Sequence, residues 1–338
     1  MVKTPKAVKL PSGNWRIQLY MNGKRYSFTD PDLKVVKQKA KEAFAGAQLE
    51  KRISLTVGKA IDKYIESKTG VLSPSTIVGY KRYRNNYLQC LMDVNIMDLK
   101  QEYVQLAVSE DAAAGHAPKT IRNAHGLLSA TLKVYRPSLV LRTTLPQKQK
   151  HEIRIPTEDE IKKIWAASKG TRYELPIVLA FWLGLRMSEI RGLKYSDIVN
   201  DRIHIQRAVV RGEKGPTIKD TKTVSGDRWI KCPPEISMLI ARQPKTGEFI
   251  CNYPDISIYK GFIKACETAG VEPCRFHDLR HFAASEAHSL GVPDKYQMQR
   301  MGHKTDNMLK TVYQHTMRDK EDQFANIIDQ HMSTLISG

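Results

Sequence analysis

The chain has 338 residues, long enough for two or three domains, and carries 54 Lys+Arg against 35 Asp+Glu, a formal net charge of +19. Such an excess points to a polyanionic partner, nucleic acid before an anionic membrane surface. No apolar run approaches the roughly twenty residues of a membrane span, and Met-Val-Lys-Thr-Pro-Lys leads into no apolar signal region, so the expectation is a soluble intracellular protein.

The first fifty residues carry hairpin signals. Asn14 to Tyr20 alternates polar and apolar side chains, Asn22-Gly23 supplies a turn, and Arg25-Tyr26-Ser27-Phe28 returns. Val8-Lys9-Leu10 adds a third strand, and a helix follows from Leu33 to about Leu49. Few large apolar residues are available, so residues 1–52 form a small module. Its polar sheet face carries Arg16, Gln18, Lys24 and Arg25, side chains that suit a major groove or, alternatively, a solvated surface.

Residues 54–140 read as a helical domain. Val57, Ala60, Ile61 and Tyr64 keep helical spacing, and Ser73-Pro74-Ser75-Thr76 opens a helix in which Lys81, Arg82 and Arg84 lie among Tyr80, Tyr83 and Tyr87. Ala117-Pro118 opens another that presents Lys119, Arg122 and His125. Basic helices of this kind suit a DNA backbone, because each neutralised phosphate releases counterions. A Pro- and Lys-containing linker, residues 141–156, ends at Ile153-Arg154-Ile155-Pro156. Thr157-Glu158-Asp159-Glu160 is a capping box that starts the third segment, residues 157–318.

In that segment an apolar helix, Leu175 to Leu183, runs into Gly184-Leu185-Arg186, where Gly184 ends the helix, Arg186 sits on a turn and Glu189 can brace the next helix. Two strand-like stretches, 202–210 and 227–232, are joined by Lys219-Asp220-Thr221-Lys222-Thr223 on an expected hairpin. Helices are expected around 256–269, 278–290 and 293–300, followed by Gly302-His303 and, ten residues further, Tyr313. In Arg275-Phe-His-Asp-Leu-Arg-His-Phe282 the spacing puts His277, Arg280 and His281 on one helix face. That pattern alone fits a metal site or a phosphate clamp. A zinc protease would want Glu directly after the first histidine and a third ligand, and Arg280 would repel a dication. An arginine fork matches paired phosphate oxygens. Five cysteines, Cys90, Cys232, Cys251, Cys266 and Cys274, form no C-x-x-C and read as reduced thiols; no carboxylate cluster suggests Mg²⁺.

Gly184-Leu-Arg186, Lys222, His277-x-x-Arg280, Gly302-His303 and Tyr313 occur in the order and roughly the spacing of the tyrosine recombinases, and the chain resembles the integrases of phages and conjugative transposons in particular. The resemblance covers residues 155–320 most specifically; the helical segment looks like a core-site-binding domain and the N-terminal hairpins like an arm-site-binding domain. It implies an α+β multidomain fold: a mostly α-helical catalytic domain with a small β-sheet, preceded by a helical domain and a small three-stranded β-plus-helix domain. It implies DNA strand exchange through a 3′-phosphotyrosyl intermediate and a Holliday junction, integrating or excising a mobile element, with no cofactor and no metal. Tyr313 is then the nucleophile, Arg186 and Arg280 the phosphate clamp, His277 the base, His303 a donor to the phosphate, and Lys222 the general acid, with Lys219 competing for that role. One departure is Met308-Leu309, where members of the family often carry Thr-Thr. Residues 319–338 read as a tail helix whose apolar stripe, Phe324, Ile327, Ile328, Met332, Leu335 and Ile336, docks on its own domain or on a neighbouring protomer. The implied partners are double-stranded attachment-site DNA, a homotetramer in the synapse and DNA-bending accessory proteins. A type IB topoisomerase-like enzyme and a catalytically silent DNA-binding regulator are the competing readings.

Overall fold

The computed structural model describes residues 6–21, 24–52, 55–148, 153–220, 226–302, 325, 326 and 328–335. The chain forms two compact units, Met1–Val71 with Gly79–Gln149, and Leu72–Val78 with Lys150–Gly338.

The first unit begins with an antiparallel sheet of β1 (Val8–Lys9), β2 (Trp15–Met21) and β3 (Lys24–Asp30), in that order. Strand alternation turns Ile17 and Leu19 inward against Val36 and Ala40 of α1 (Leu33–Arg52). The turn residues Asn22 and Gly23 lie outside the described residues.

Four helices follow: α2 (Val57–Lys68), capped by Thr56, whose hydroxyl accepts from Lys59 N at 3.3 Å, then α3 (Pro74–Asn86), α4 (Gln101–Ala113) and α5 (Pro118–Tyr135), with Pro at its first turn. Ile61, Leu91, Val104, Leu128 and Leu132 are among the buried side chains of this part. The segment expected as a linker is partly bound to these helices. Gln101 and Gln105 hydrogen-bond Thr143 and Thr144, Arg122 Nε donates to Pro146 O at 2.8 Å, and His125 meets the Thr143 hydroxyl at 3.0 Å. Residues 149–152 lie outside the described residues.

The second unit opens with α6 (Glu158–Ser168), where Thr157 and Glu160 form the expected capping box. The chain continues through α7 (Glu174–Leu183), α8 (Met187–Gly192), β4 (Ile198–Val199), β5 (Arg202–Ile205), β6 (Arg207–Gly212), β7 (Gly215–Asp220), β8 (Arg228–Lys231), α9 (Pro234–Ala241), α10 (Asp255–Thr268), α11 (Asp278–Ser289) and α12 (Asp294–Met301). Leu175, Leu179, Leu183, Ile190, Ile203, Ile230, Phe262 and Leu279 share one buried core. The strands differ from expectation. The stretch 202–210 breaks at Gln206, whose amide donates to Asp197, while Arg207 pairs with the other oxygen of Asp197. As a result β5 joins β4 and β8 in one sheet, and β6 folds back on β7 through a tight Glu213-Lys214 turn. Lys219 therefore sits on a strand opposite Ala208, and Thr221-Lys222-Thr223 lie outside the described residues. In the tail, residues 328–335 are helical and exposed; Phe324, Ile327 and Ile336 lie outside the described residues.

Candidate active site

The centre of the second unit is built where α7 ends. Gly184 adopts a left-handed conformation (φ 67°, ψ 28°) that caps the apolar helix, and a Cβ there would lie 2.3 Å from Met301 Sδ. The chain turns at once into α8, with Arg186 at its N-cap. The Arg186 amide donates to Glu189 Oε2 at 3.0 Å and its guanidinium to Glu189 Oε1 at 2.6 Å, while Nη2 reaches Gly302 O at 3.3 Å. Some 36% of the Arg186 side chain stays exposed.

From α11 comes Arg280, 2% exposed, whose guanidinium donates to the carbonyls of Gly184 and Met301 and lies 3.9 Å from Glu189 Oε2. The start of α11 is fixed by Asp278, whose carboxylate accepts from the Arg275 amide and guanidinium. His277 is exposed at the helix N-cap and stands edge-on to His281, which is buried. From β8 a third arginine, Arg228, enters: Nη2 donates to Glu189 Oε2 at 2.9 Å, Nη1 to Oε1 at 3.3 Å, and Nε to Arg300 O at 2.8 Å. Arg186, Arg228 and Arg280 thus contact one carboxylate, and the cluster keeps a surplus of two positive charges, with Arg186 its exposed member.

The proton affinities follow from this crowding. Burial pushes the Glu189 carboxyl up, but Arg228, then Arg186 and Arg280, outweigh it and hold the pKa at about 2. Burial, helped by Arg186 and Arg228, lowers Arg280 to about 9, still charged at neutral pH. Partial burial, then His281, Arg280 and Arg186, lower His277 to about 4, against the opposing pull of Asp278. A neutral imidazole at the rim can accept a proton, and the surplus charge behind it can be neutralised by an oxyanion.

Arg186, Arg280 and His277 lie close enough to interact electrostatically; Lys222, His303 and Tyr313 lie outside the described residues. Sequence reasoning missed Arg228. Its signal was available: in Arg228-Trp229-Ile230-Lys231 the arginine shares the inward strand phase with Ile230.

Among the DNA-contact candidates, Arg16, Gln18 and Arg25 lie on the sheet face opposite Ile17 and Leu19, with Arg25 donating to Gln18 at 2.6 Å. Lys24 opens β3, and its side chain falls outside the described residues. Lys81, Arg82 and Lys119 are exposed. Arg122 is engaged with Pro146, and Arg84 turns inward to Gly58 O and Asp62. Among the described residues no group of His, Cys, Asp and Glu is arranged to hold a metal ion, and no helix is long and apolar enough to cross a membrane.

Residues 155–320 match the family model of the phage integrase family. Over 196 residues the chain is 30% identical to a protein named as a prophage phiRv2 integrase of Mycobacterium tuberculosis, covering 53% of this chain and 52% of that one. The chain therefore spans about half the length of that relative. A XerC-like tyrosine recombinase of Caldanaerobacter subterraneus is 25% identical over 292 residues, 72% of this chain and 75% of the relative. The fold is shared with the Tn1549 transposon integrase in complex with transposon right end DNA, at TM-score 0.64 and 20% identity over 80% of this chain and 100% of that chain. It is also shared with a lambda integrase tetramer bound to a Holliday junction, at TM-score 0.60 and 18% identity over 90% and 96% of the two chains.

Proposed function

Through residues 155–320 the chain belongs to the phage integrase family, of the phage and transposon tyrosine-recombinase type, and from that premise we propose that it is a site-specific DNA recombinase of a mobile element. The observation that carries this reading is the cluster of Arg186, Arg228 and Arg280 on Glu189, a preorganised surplus of positive charge beside a neutral His277.

In the proposed reaction the Tyr313 oxygen attacks the scissile phosphorus, a new O–P bond forms to the 3′-phosphate, and the bond to the 5′-oxygen breaks. A free phenol has a pKa of about 10, so the proton must be taken as attack proceeds; His277 accepts it. Arg186 and Arg280 stabilise the charge that builds on the non-bridging oxygens, Arg280 after exchanging a backbone carbonyl for phosphate, and His303 donates to the same group. Lys222 protonates the departing 5′-oxygen. The phosphotyrosine ester conserves the energy of the original bond, so attack by a second 5′-hydroxyl rejoins the strand without a nucleotide. Exchange of both strand pairs passes through a Holliday junction.

The substrate is double-stranded attachment-site DNA. Residues 54–140 with Lys81, Arg82 and Lys119 are assigned to the core site, and the sheet of residues 1–52 with Arg16, Gln18 and Arg25 to an arm site; the net charge of +19 supports both. Assembly as a homotetramer on two duplexes, with the tail helix of one protomer on the next, is supported by the exposed Ile328, Met332 and Leu335.

The test is a suicide duplex nicked near the scissile phosphate, followed by peptide mapping of the trapped adduct. The expected result is Tyr313 joined to a 3′-phosphate, with no adduct from Tyr313→Phe. An adduct that persists in that variant removes the assigned nucleophile. Relaxation of a single duplex with no recombinant from two labelled sites would favour a topoisomerase-like enzyme instead.

A further inference from the structure

Glu189 is 4% exposed and Arg228 5%, and the two meet through both carboxylate oxygens and both terminal nitrogens of the guanidinium. The same guanidinium donates to Gly226 O at 3.2 Å and to Arg300 O at 2.8 Å, so one side chain ties β8 to α8 and to the end of α12. Arg186 shares the carboxylate through Oε1 and keeps an exposed edge; Arg228 keeps almost none. These contacts divide the labour among the arginines. We infer that Arg228 is a positioning residue: it does not touch the phosphate but holds Glu189 ionised and oriented, so that Glu189 can fix the guanidinium of Arg186 and stand behind Arg280.

The inference rests on the recombinase reading and deepens it. A buried carboxylate facing a single cation could change its proton occupancy or rotate; facing three, it is locked. The charged groups turned toward Glu189 are Arg186 at the start of α8, Arg228 on β8 and Arg280 on α11. Elsewhere around α8, Arg191 faces Asp255 of α10 and Arg207 of β6 faces Asp197, so those charges are matched among themselves. Removing Arg228 takes away the largest electrostatic force that opposes burial at Glu189, and the carboxylate then gains a proton at a higher pH. A protonated Glu189 no longer anchors Arg186, and the clamp loses its geometry while its charge remains.

The experiment is single-turnover cleavage of the nicked suicide duplex by the full chain between pH 6 and 9, beside anisotropy titration of the same duplex and a thermal melt. For Arg228→Gln, DNA affinity should stay within about threefold of wild type while cleavage falls on the order of 10²-fold. The deficit should be deeper at pH 6 than at pH 9, a signature that simple loosening of the fold does not produce. Arg228→Lys keeps the charge but cannot span both carboxylate oxygens and both carbonyls, so it should lose about tenfold and keep the wild-type pH profile. The inference is overturned by wild-type cleavage in a folded lysine variant, by a glutamine deficit equal at all pH values, or by an affinity loss that matches the rate loss. Should the glutamine variant not fold, the rate and affinity of the lysine variant decide alone. A wild-type chain that forms no adduct removes the recombinase reading and this inference with it.

Discussion

The imidazole of His277 stands edge-on to that of His281, ring centroids 5.0 Å apart and planes at 87°, with Arg280 on the same helix. Two imidazoles so close to a buried guanidinium cannot both be protonated without mutual repulsion, and both have lowered pKa values, His277 to about 4. Because the folded pKa of His277 lies below the unfolded value of about 6.5, the unfolded chain binds more protons between those two values. Stability should therefore fall as pH drops from about 6.5 to about 4 and level off below that for this group. Denaturant titrations at several pH values on wild type and His277→Gln test this: the variant should lose less stability across that window. Proton NMR of the imidazoles gives a second reading, with His277 still neutral at pH 6; an ordinary histidine titration there would sink the idea.

Gly184 and Met301 make a sterically exacting contact. Alanine at 184 would carry a left-handed residue, at a cost of about 1–2 kcal/mol, and would place its methyl 2.3 Å from Met301 Sδ. Met301 is 1% exposed, so it can yield only by disturbing its neighbours. The carbonyls of both residues accept from Arg280, and the variant should lose DNA cleavage as well as stability. Met301→Ala alone should destabilise by about 2–5 kcal/mol through its cavity. The double variant should fall short of the sum, because the cavity accommodates the new methyl while the backbone cost remains. Thermal melts of the four proteins measure this; strict additivity would mean that the contact is not tight.

Where sequence and structure agree, the determinants are local. The Thr157 and Glu160 capping box, the glycine stop at Gly184 and the alternation of Ile17 and Leu19 each act within a few residues. The site motif was readable because Arg186, His277 and Arg280 lie on short elements with characteristic neighbours. Other features depend on partners far along the chain. The strand break at Gln206 is made by Asp197, which captures Gln206 and Arg207 together, and no breaker residue marks it. Helix α4 buries one face through Val104, Ala107 and Val108, but Tyr103 and Leu106 are exposed at 42% and 58%, so apolar spacing in the sequence does not single out the buried face. The binding of residues 143–146 to α4 and α5 depends on amides and an arginine some forty or fewer residues away, and Arg228 finds Glu189 thirty-nine residues upstream.

The tail helix gives a test that separates folding from assembly. Ile328, Met332 and Leu335 are 60%, 50% and 64% exposed, so their removal takes little buried apolar surface from the second unit. Truncation before residue 325 should leave the melting temperature within about 2 °C of the full chain. Analytical ultracentrifugation on paired attachment-site duplexes should show fewer tetramers. A truncated protein that melts much earlier would place the helix on its own domain.

Arg84 and Arg82 lie two residues apart on α3 and should behave as opposites. Arg84 reaches back over α2, donating to Gly58 O at 3.2 Å and to Asp62 at 3.1 Å, and even one methyl at Gly58 would lie 2.7 Å from its Nη2. Arg82 is exposed. Arg84→Ala should cost on the order of 1 kcal/mol of stability, through a lost backbone bond and a partly exposed ion pair, and leave the salt dependence of DNA binding alone. Arg82→Ala should leave stability alone and reduce the slope of log K against log salt by about 0.9, the share of one phosphate contact. Salt titrations and melts of both variants decide the assignment. A reduced slope for Arg84→Ala with an unchanged melt would show that its inward bonds yield to DNA, and the division between the two arginines would be abandoned.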